Sequence, residues 1–116
     1  MKAQILITAI FTCLFAGTSH AADLARGKQI FDTTCAACHG PLGAGDGPAA
    51  VAMPADQKPR DFQHPTFKFA KDDAKMKELL HKGGAAVGLS PLMQPQPTLS
   101  DADVDNIIAY VRTLKK

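Results

Sequence analysis

The chain has 116 residues, which is enough for one small domain and too short for two. It carries 13 basic and 11 acidic residues, for a formal net charge of +2, and these charges form neither a basic stripe nor a long block of one sign. The composition therefore argues against a nucleic-acid-binding protein and against a charged interaction tail.

The first 21 residues have the features of a secretory signal peptide. Lys2 gives a positive start, and residues 5–16 form an apolar stretch too short to span a bilayer. Small residues occupy the positions before a cleavage site, Ser19 and Ala21. We therefore predict that residues 1–21 are removed, that residues 22–116 form the mature domain, and that this domain reaches the periplasm without a membrane span.

The same segment decides how many cysteines the mature protein keeps. Of the three cysteines, Cys13 lies within the apolar stretch and would leave with the signal peptide. A retained membrane anchor is the less favoured alternative, because the apolar stretch is short. The mature chain is then expected to contain one pair, Cys35 and Cys38.

Three helix patterns follow in the mature chain. Asp23 is suited to cap a first helix that runs to about Cys35. A second helix over "KDDAKMKELLHKGG" would be capped by Asp72 or Asp73 and ended by the two glycines. A third, over "SDADVDNIIAYVRTLKK", would begin at Ser100 and has an apolar stripe at helical spacing. Because no segment alternates with a period of two, we predict an all-α domain.

Two loops connect these helices, and both are unusually long. Residues 40–71 and the segment "GLSPLMQPQPTL" are rich in proline and glycine. A loop of about 30 residues is uncommon in a compact domain unless it surrounds something else. A mature chain this short also has a thin protein core. Both observations predict a bound group that is not protein.

The stretch "TTCAACHG" holds the most specific motif, two cysteines three positions apart with a histidine directly after the second. A thioredoxin-like dithiol would need a preceding strand. A structural zinc site would need further ligands, with His64 and His81 as candidates, and a disulfide across two residues would stabilise little. The zinc and disulfide interpretations remain open as the less favoured ones.

Covalent haem attachment explains the motif and the loops together. One helical turn brings both thiols to the same edge of a porphyrin, and the adjacent histidine can reach the iron from one face. We therefore predict one haem c, with its iron, bound through thioethers to Cys35 and Cys38. His39 is the predicted proximal ligand of the iron.

With these residues in place, the chain resembles the class I c-type cytochromes, which are exported and carry a single haem. The resemblance spans the mature chain and rests on "ARGKQIFDTTCAACHG", "GDGPAA", "LMQP" and "LSDADVDNIIAYVRTL". It implies a small cytochrome c-like fold, with three main helices and long loops wrapped around the haem. It also implies that Gly27 and Phe31 of the first helix pack against Tyr110 of the last.

The second iron ligand has five candidates: Met53, Met76, Met93, His64 and His81. Met76 has the spacing of a core residue on the second helix. Met93 lies in the second loop, where the resemblance places the distal methionine, although Gln94 follows it instead of the family's usual proline. We predict Met93 as the distal ligand.

Two protein ligands leave the iron no open position, so the resemblance implies electron transfer rather than catalysis. No nucleophile motif, paired carboxylates or phosphate-binding loop indicates an enzyme. The predicted partners are redox proteins of the periplasm. The protein itself is predicted to be a soluble, monomeric carrier or, as the alternative, a haem subunit of a larger oxidoreductase. A gas-binding sensor, in which Met93 dissociates, is a further alternative. Arg60 could bind a haem propionate or be a solvated loop charge.

Overall fold

The computed structural model describes residues 20–116. Cys13 and all but the end of the predicted signal peptide lie outside this described part, so cleavage of residues 1–21 stays a prediction. Within residues 20–116 every regular element is helical and no strand is present, which confirms the all-α prediction. No helix in the same range is long and apolar enough to cross a bilayer.

The helices are α1, Leu24–Ile30; α2, Ala36–His39; α3, Asp73–Lys82; and α4, Asp101–Thr113. A π-helical segment, Phe31–Cys35, joins α1 to α2 without a break. Three short 3₁₀ turns lie in the loops: Pro48–Ala52, Ala55–Gln57 and Ala85–Val87.

The first helical region is therefore longer than the predicted helix, which was expected to end near Cys35. The Thr33 hydroxyl donates to the backbone carbonyls of Gln29 and Ile30, at 3.0 and 3.2 Å, and so competes with the helix's own donors. The Ala36 N–H donates to the carbonyl of Phe31, five residues earlier. This wider turn carries the helix through the cysteine pair as far as His39.

Side-chain caps start all three helical regions where they were predicted. The capping side chain accepts a hydrogen bond from the backbone N–H three residues later, at 2.9 to 3.1 Å, in each of three cases: Asp23, Asp72 and Ser100. Each such cap typically stabilises a helix by about 1 kcal/mol. For α3 the structure chooses Asp72 over Asp73.

Helices α1 and α4 cross at close range over Gly27. A Cβ at this position would lie 2.6 Å from the carbonyl carbon of Asn106 and 3.0 Å from Cβ of Tyr110, so only glycine fits. Phe31, which is fully buried, meets the ring of Tyr110 edge to face with centroids 5.4 Å apart. The packing that the resemblance implied for these residues is present.

The protein core is small and lies between α1, α3 and α4. Its buried residues are Ile30, Phe31, Phe69, Met76, Leu80, Val104, Ile107, Ile108 and Val111. Met76 belongs to this set, as its spacing predicted. Ion pairs also tie α4 to α3, through Lys77 with Asp105 and Arg112 with Asp73. The core forms one side of a cavity, and that cavity contains the candidate site.

Candidate cofactor site

A cavity of about 260 Å³ opens beside the core. Its floor is apolar and is made of core residues: Phe31, Met76, Leu80, Ile107, Ile108 and Val111. Its walls bring together residues from both long loops and from the cysteine motif: Cys35, Cys38, His39, Met53, Arg60 and Met93. All four predicted haem-binding residues thus line one cavity, although 54 positions separate the last two in the sequence.

The cysteine motif is held in this wall by two tight turns. Gly40 ends α2 with a φ of +84°, a backbone conformation that favours glycine. Gly47 then brings the loop back onto the motif, and a Cβ there would lie 2.6 Å from the carbonyl carbons of Ala37 and Cys38. The motif is therefore packed from outside by the loop that follows it.

Both thiols of the motif are free and half-buried. Burial, with a smaller contribution from the charge of Cys38, raises the pKa of the Cys35 thiol to about 11. Cys35 is therefore a neutral thiol at neutral pH and does not have the lowered pKa that makes a cysteine a reactive nucleophile.

His39 is held in one tautomer and one orientation. Its Nδ1 donates to the backbone carbonyl of Arg60 at 3.1 Å, because a carbonyl oxygen can only accept. Burial lowers the pKa of the imidazole, opposed by this hydrogen bond, so the neutral form is favoured. The ring of Phe62 stacks on the imidazole with centroids 4.5 Å apart and planes at 17°. The other nitrogen, Nε2, keeps its lone pair for a metal.

Met93 faces the same cavity from the second loop, and a glycine pair shapes that loop. The Gly84 N–H donates to the Met93 carbonyl at 2.9 Å. A Cβ on Gly84 would lie 3.1 Å from Cβ of Met93 and would overlap the carbonyl oxygen of Ser90. In the sequence Gly83 and Gly84 indicated only the end of a helix, so their part in folding this loop was missed.

The remaining ligand candidates differ in whether they line the cavity. Met53 is half-buried and lines the same cavity, so it stays an alternative to Met93. His64 lies outside the cavity, with Nδ1 2.9 Å from Asp61, and His81 lies outside it with Nε2 3.1 Å from Asp101. The structure therefore does not bring the two histidines that a zinc site needed to the cysteine pair. Within residues 20–116 no three His, Cys, Asp or Glu side chains cluster closely enough to hold a metal ion.

Three basic side chains line this cavity. Lys58, Arg60 and Lys68 line it, and the Lys58 ammonium donates to the backbone carbonyls of Ala50 and Val51. Among the described residues, no carboxylate lies within 4.0 Å of the Arg60 guanidinium. An apolar cavity with two adjacent thiols, an imidazole, a thioether and a free guanidinium fits a flat apolar group that carries iron and carboxylates.

Comparisons with known proteins agree with this donor set. A family model described as cytochrome c matches residues 24–115. The chain is 35% identical to cytochrome c-554(547) of Halothiobacillus neapolitanus over 98 residues, which are 82% of this chain and 100% of that protein. It is 33% identical to cytochrome c6 of a Picosynechococcus species, over 92% of this chain and 87% of that one.

One solved structure has a similar fold. A chain of the reducing HAO-like protein complex of Kuenenia stuttgartiensis superposes with a TM-score of 0.66 over 78% of this chain, at 24% identity. The present chain spans 41% of that chain's length, and the likeness concerns the fold alone.

Proposed function

The chain belongs to the cytochrome c family, whose members bind haem c covalently, and from that premise we propose that it is an electron-transfer protein of the periplasm. The single haem supplies a reversible one-electron change between ferric and ferrous iron. The chain's own residues attach this group, orient its axial ligands and exclude water from one side of it. Removal of residues 1–21 on export, which leaves the domain 22–116, is part of the same proposal.

The proposal assigns the thioether bonds to Cys35 and Cys38. Cys35 and Cys38 would each form a carbon–sulfur bond to one vinyl group of the haem, with the thiol hydrogen passing to the neighbouring carbon, so attachment would consume no oxidant. Both cysteines line the cavity together with its apolar floor residues. The spacing of one helical turn, from the end of the π-helical segment into α2, supports attachment along a single edge of the group.

The axial ligands in this proposal are His39 and Met93. The observation that carries it is the hydrogen bond from His39 Nδ1 to the Arg60 carbonyl, because it leaves Nε2 available inside a cavity that Met93 also lines. A thioether stabilises ferrous iron more than a second imidazole would, so the pair favours a raised reduction potential. Because His39 and Met93 would both be bound to the iron, no coordination position would remain for a substrate, and we infer a carrier without catalytic activity.

Arg60 and its neighbouring lysines have a supporting part in this function. A haem propionate is a carboxylate that needs a donor when it is partly buried. The Arg60 guanidinium lines the cavity and has no carboxylate within 4.0 Å in the described residues, so it is available for that pairing.

A second candidate is a fixed haem subunit of a larger periplasmic oxidoreductase. Large apolar side chains stay exposed on the described surface: Leu24, Leu42, Val51 and Leu92. Val51, the most exposed at 85%, lies on the 3₁₀ turn Pro48–Ala52, which packs against the cysteine motif. Exposed apolar residues near a redox centre favour contact with a partner protein.

The test begins with the protein purified from a periplasmic extract. A denaturing gel stained for haem, an intact mass, and absorption spectra of the oxidised and reduced forms together report covalent attachment, cleavage near Ala22 and six-coordinate iron. A colourless gel would overturn the haem assignment. Rapid carbon monoxide binding at neutral pH would favour the sensor over the carrier, and stable co-purification with one enzyme would favour the subunit.

A further inference from the structure

The aromatic ring of Phe62 is the nearest described ring to His39 and lies almost parallel to it. The two centroids are 4.5 Å apart and the planes differ by 17°. The hydrogen bond to the Arg60 carbonyl fixes only the Nδ1 edge of the imidazole, and the imidazole plane can still turn about that direction. A stacked ring removes this remaining freedom, because turning the imidazole would break the face-to-face contact.

Phe62 is itself held from several directions. Its backbone N–H donates to the Gly43 carbonyl at 2.7 Å. Its ring meets Phe31 edge to face at 6.3 Å and Phe67 at 5.8 Å. Phe31 is fully buried and packs on Tyr110 of α4. The helix core thus fixes the orientation of the Phe62 ring, and the stacked ring in turn restricts the orientation of the His39 imidazole.

Both constraints on His39 come from one short segment, residues 60–62. Arg60 supplies the carbonyl and Phe62 supplies the ring, and both side chains line the cavity. Asp61 between them does not line the cavity and pairs with His64. This one segment therefore contacts the imidazole at two points, through the Arg60 carbonyl and the Phe62 ring.

We propose that Phe62 is a positioning residue that sets the rotation of the His39 imidazole and so keeps its Nδ1–H directed at the Arg60 carbonyl. The proposal rests on the ligation of iron by His39. The plane of an axial imidazole determines how unpaired spin is distributed over a ferric porphyrin, and therefore the spread of the four haem-methyl proton shifts. Groups that do not touch a metal but orient a histidine bound to it act on the metal in this way.

The experiment uses ferric and ferrous holoprotein carrying Phe62→Leu, Phe62→Tyr or Phe67→Leu. Phe67→Leu is the matched control: it removes a half-buried ring from the same cavity wall and the same aromatic cluster, and Phe67 has no described ring contact with His39. Absorption spectra and haem stain report attachment and ligation in every variant. Proton NMR then gives the haem-methyl shifts of the ferric form and the exchange rate of the His39 Nδ1 proton in the ferrous form.

We expect Phe62→Leu to change the spread of the methyl shifts and to speed Nδ1 proton exchange by roughly two- to tenfold, the range for the loss of one aromatic pair. Phe62→Tyr should keep both readouts near wild type. Phe67→Leu, which removes one of the two rings that hold Phe62, should change both readouts less than Phe62→Leu does. Equal changes in Phe62→Leu and Phe67→Leu would overturn the proposal in favour of general packing. Unchanged readouts in Phe62→Leu would overturn it in favour of the hydrogen bond alone.

A measurement on the unsubstituted protein covers the case in which Phe62→Leu gives no holoprotein. Nuclear Overhauser effects between Phe62 ring protons and His39 imidazole protons are expected in the ferrous form, and their absence would overturn the stacking. Failure of the proposed function is recognised separately: it appears as missing haem stain or as a spectrum without six-coordinate iron in the wild type.

Discussion

The two predicted axial ligands of the iron are held in very different ways. His39 ends a helix, donates to a backbone carbonyl at 3.1 Å and stacks on an aromatic ring. Met93 lies on a loop, residues 83–100, that includes three prolines and no charged residue. Two backbone hydrogen bonds hold it: the Gly84 N–H donates to its carbonyl, and its own N–H donates to the Ser90 carbonyl. The side of the cavity that carries His39, called the proximal wall below, is part of the helical framework. The side that carries Met93, the distal wall, is a loop closed by turns.

This difference shows that the fold specifies His39 as a ligand, whereas it only favours Met93 over another methionine. Two independent contacts, the hydrogen bond to the Arg60 carbonyl and the stacked ring of Phe62, restrict the orientation of the His39 imidazole. Met93 competes with Met53, which lines the same cavity from the other loop. A soft thioether bond to iron is also weaker than the bond to an imidazole, so we expect distal changes to alter the potential and proximal changes to remove the cofactor.

The largest effect is expected from breaking the proximal wall. Cys35→Ala or Cys38→Ala removes a thioether, and His39→Ala removes the nitrogen beside it, so each should lose most of the holoprotein. The amount of haem-stained protein in the periplasm measures this. Met53→Ala is the matched control on the opposite loop and should keep wild-type staining. Full staining of both single cysteine variants would contradict the assignment of the thioethers.

The next effect concerns folding without haem. The cavity of about 260 Å³ has the core as its floor, and an empty cavity of that size costs at most about 6 kcal/mol at ~24 cal/mol per Å³. That cost is comparable with the whole stability of a small domain. Apoprotein made without the attachment machinery should therefore unfold over a broad, weakly cooperative range by circular dichroism. A sharp transition in the apoprotein would argue that the helices suffice alone.

Met93→Ala tests the distal wall directly. Loss of the thioether should lower the reduction potential by on the order of 0.1 V, within the ~0.8 V range that axial ligands command. It should also abolish the far-red sulfur-to-iron band of the ferric protein and admit carbon monoxide. Met93→His should keep six-coordinate iron at a lower potential, because imidazole favours ferric iron more than a thioether does.

Two other methionines serve as controls for that experiment. Met53→Ala should keep the far-red band. Met76→Ala should keep it too, while the free energy of unfolding falls by about 2–5 kcal/mol, because Met76 is 7% exposed in the core. If the band survives in Met93→Ala and disappears in Met53→Ala, then Met53 is the distal ligand and the comparison of the two walls must be redrawn.

A smaller effect separates the shape of the distal loop from its chemistry. Gly84 has an ordinary φ of −63°, so Gly84→Ala acts through overlap with Ser90 and a close contact with Cβ of Met93, and it should displace Met93. Gly88 has a φ of +73° and open space around its Cβ, so Gly88→Ala should cost about 1 kcal/mol of stability and leave the iron ligands alone. The far-red band and the potential should change only in Gly84→Ala. Equal changes in both variants would mean that general destabilisation releases the methionine.

The smallest effect lies outside both walls, in the contact between α1 and α4. A side-chain hydrogen bond and the charge of Arg26 lower the pKa of Asp103 below its ordinary value. A lowered folded-state pKa contributes stability above the unfolded value, near 3.9, and that contribution is lost as the pH falls through the folded value. The melting temperature of Asp103→Asn should therefore fall slightly less than that of the wild type between pH 5 and pH 2. This difference should be smaller in high salt. If the melting temperatures of the two proteins depend on pH in the same way, the ion pair between Arg26 and Asp103 does not contribute measurably to stability.

The sequence by itself determined the features that depend on neighbouring residues. The caps at Asp23, Asp72 and Ser100 join groups three positions apart, so a short pattern predicts them. The periodicity of α4 and the absence of strands depend on segments of about a dozen residues. The cysteine motif was recognised for the same reason, because its spacing is contained in one helical turn. The assignment to the cytochrome c family followed from these local patterns.

Only the tertiary structure decided the contacts that bring distant positions together. The acceptor for His39 is 21 residues away, and the stacked ring of Phe62 is 23 away. The pairing of Gly84 with Met93 depends on how an irregular loop closes, and the presence of both Met53 and Met93 at one cavity depends on two loops. No periodic pattern records such contacts, because each depends on where the packed helices leave space, and the free energy of that packing is shared among residues spread along the whole chain.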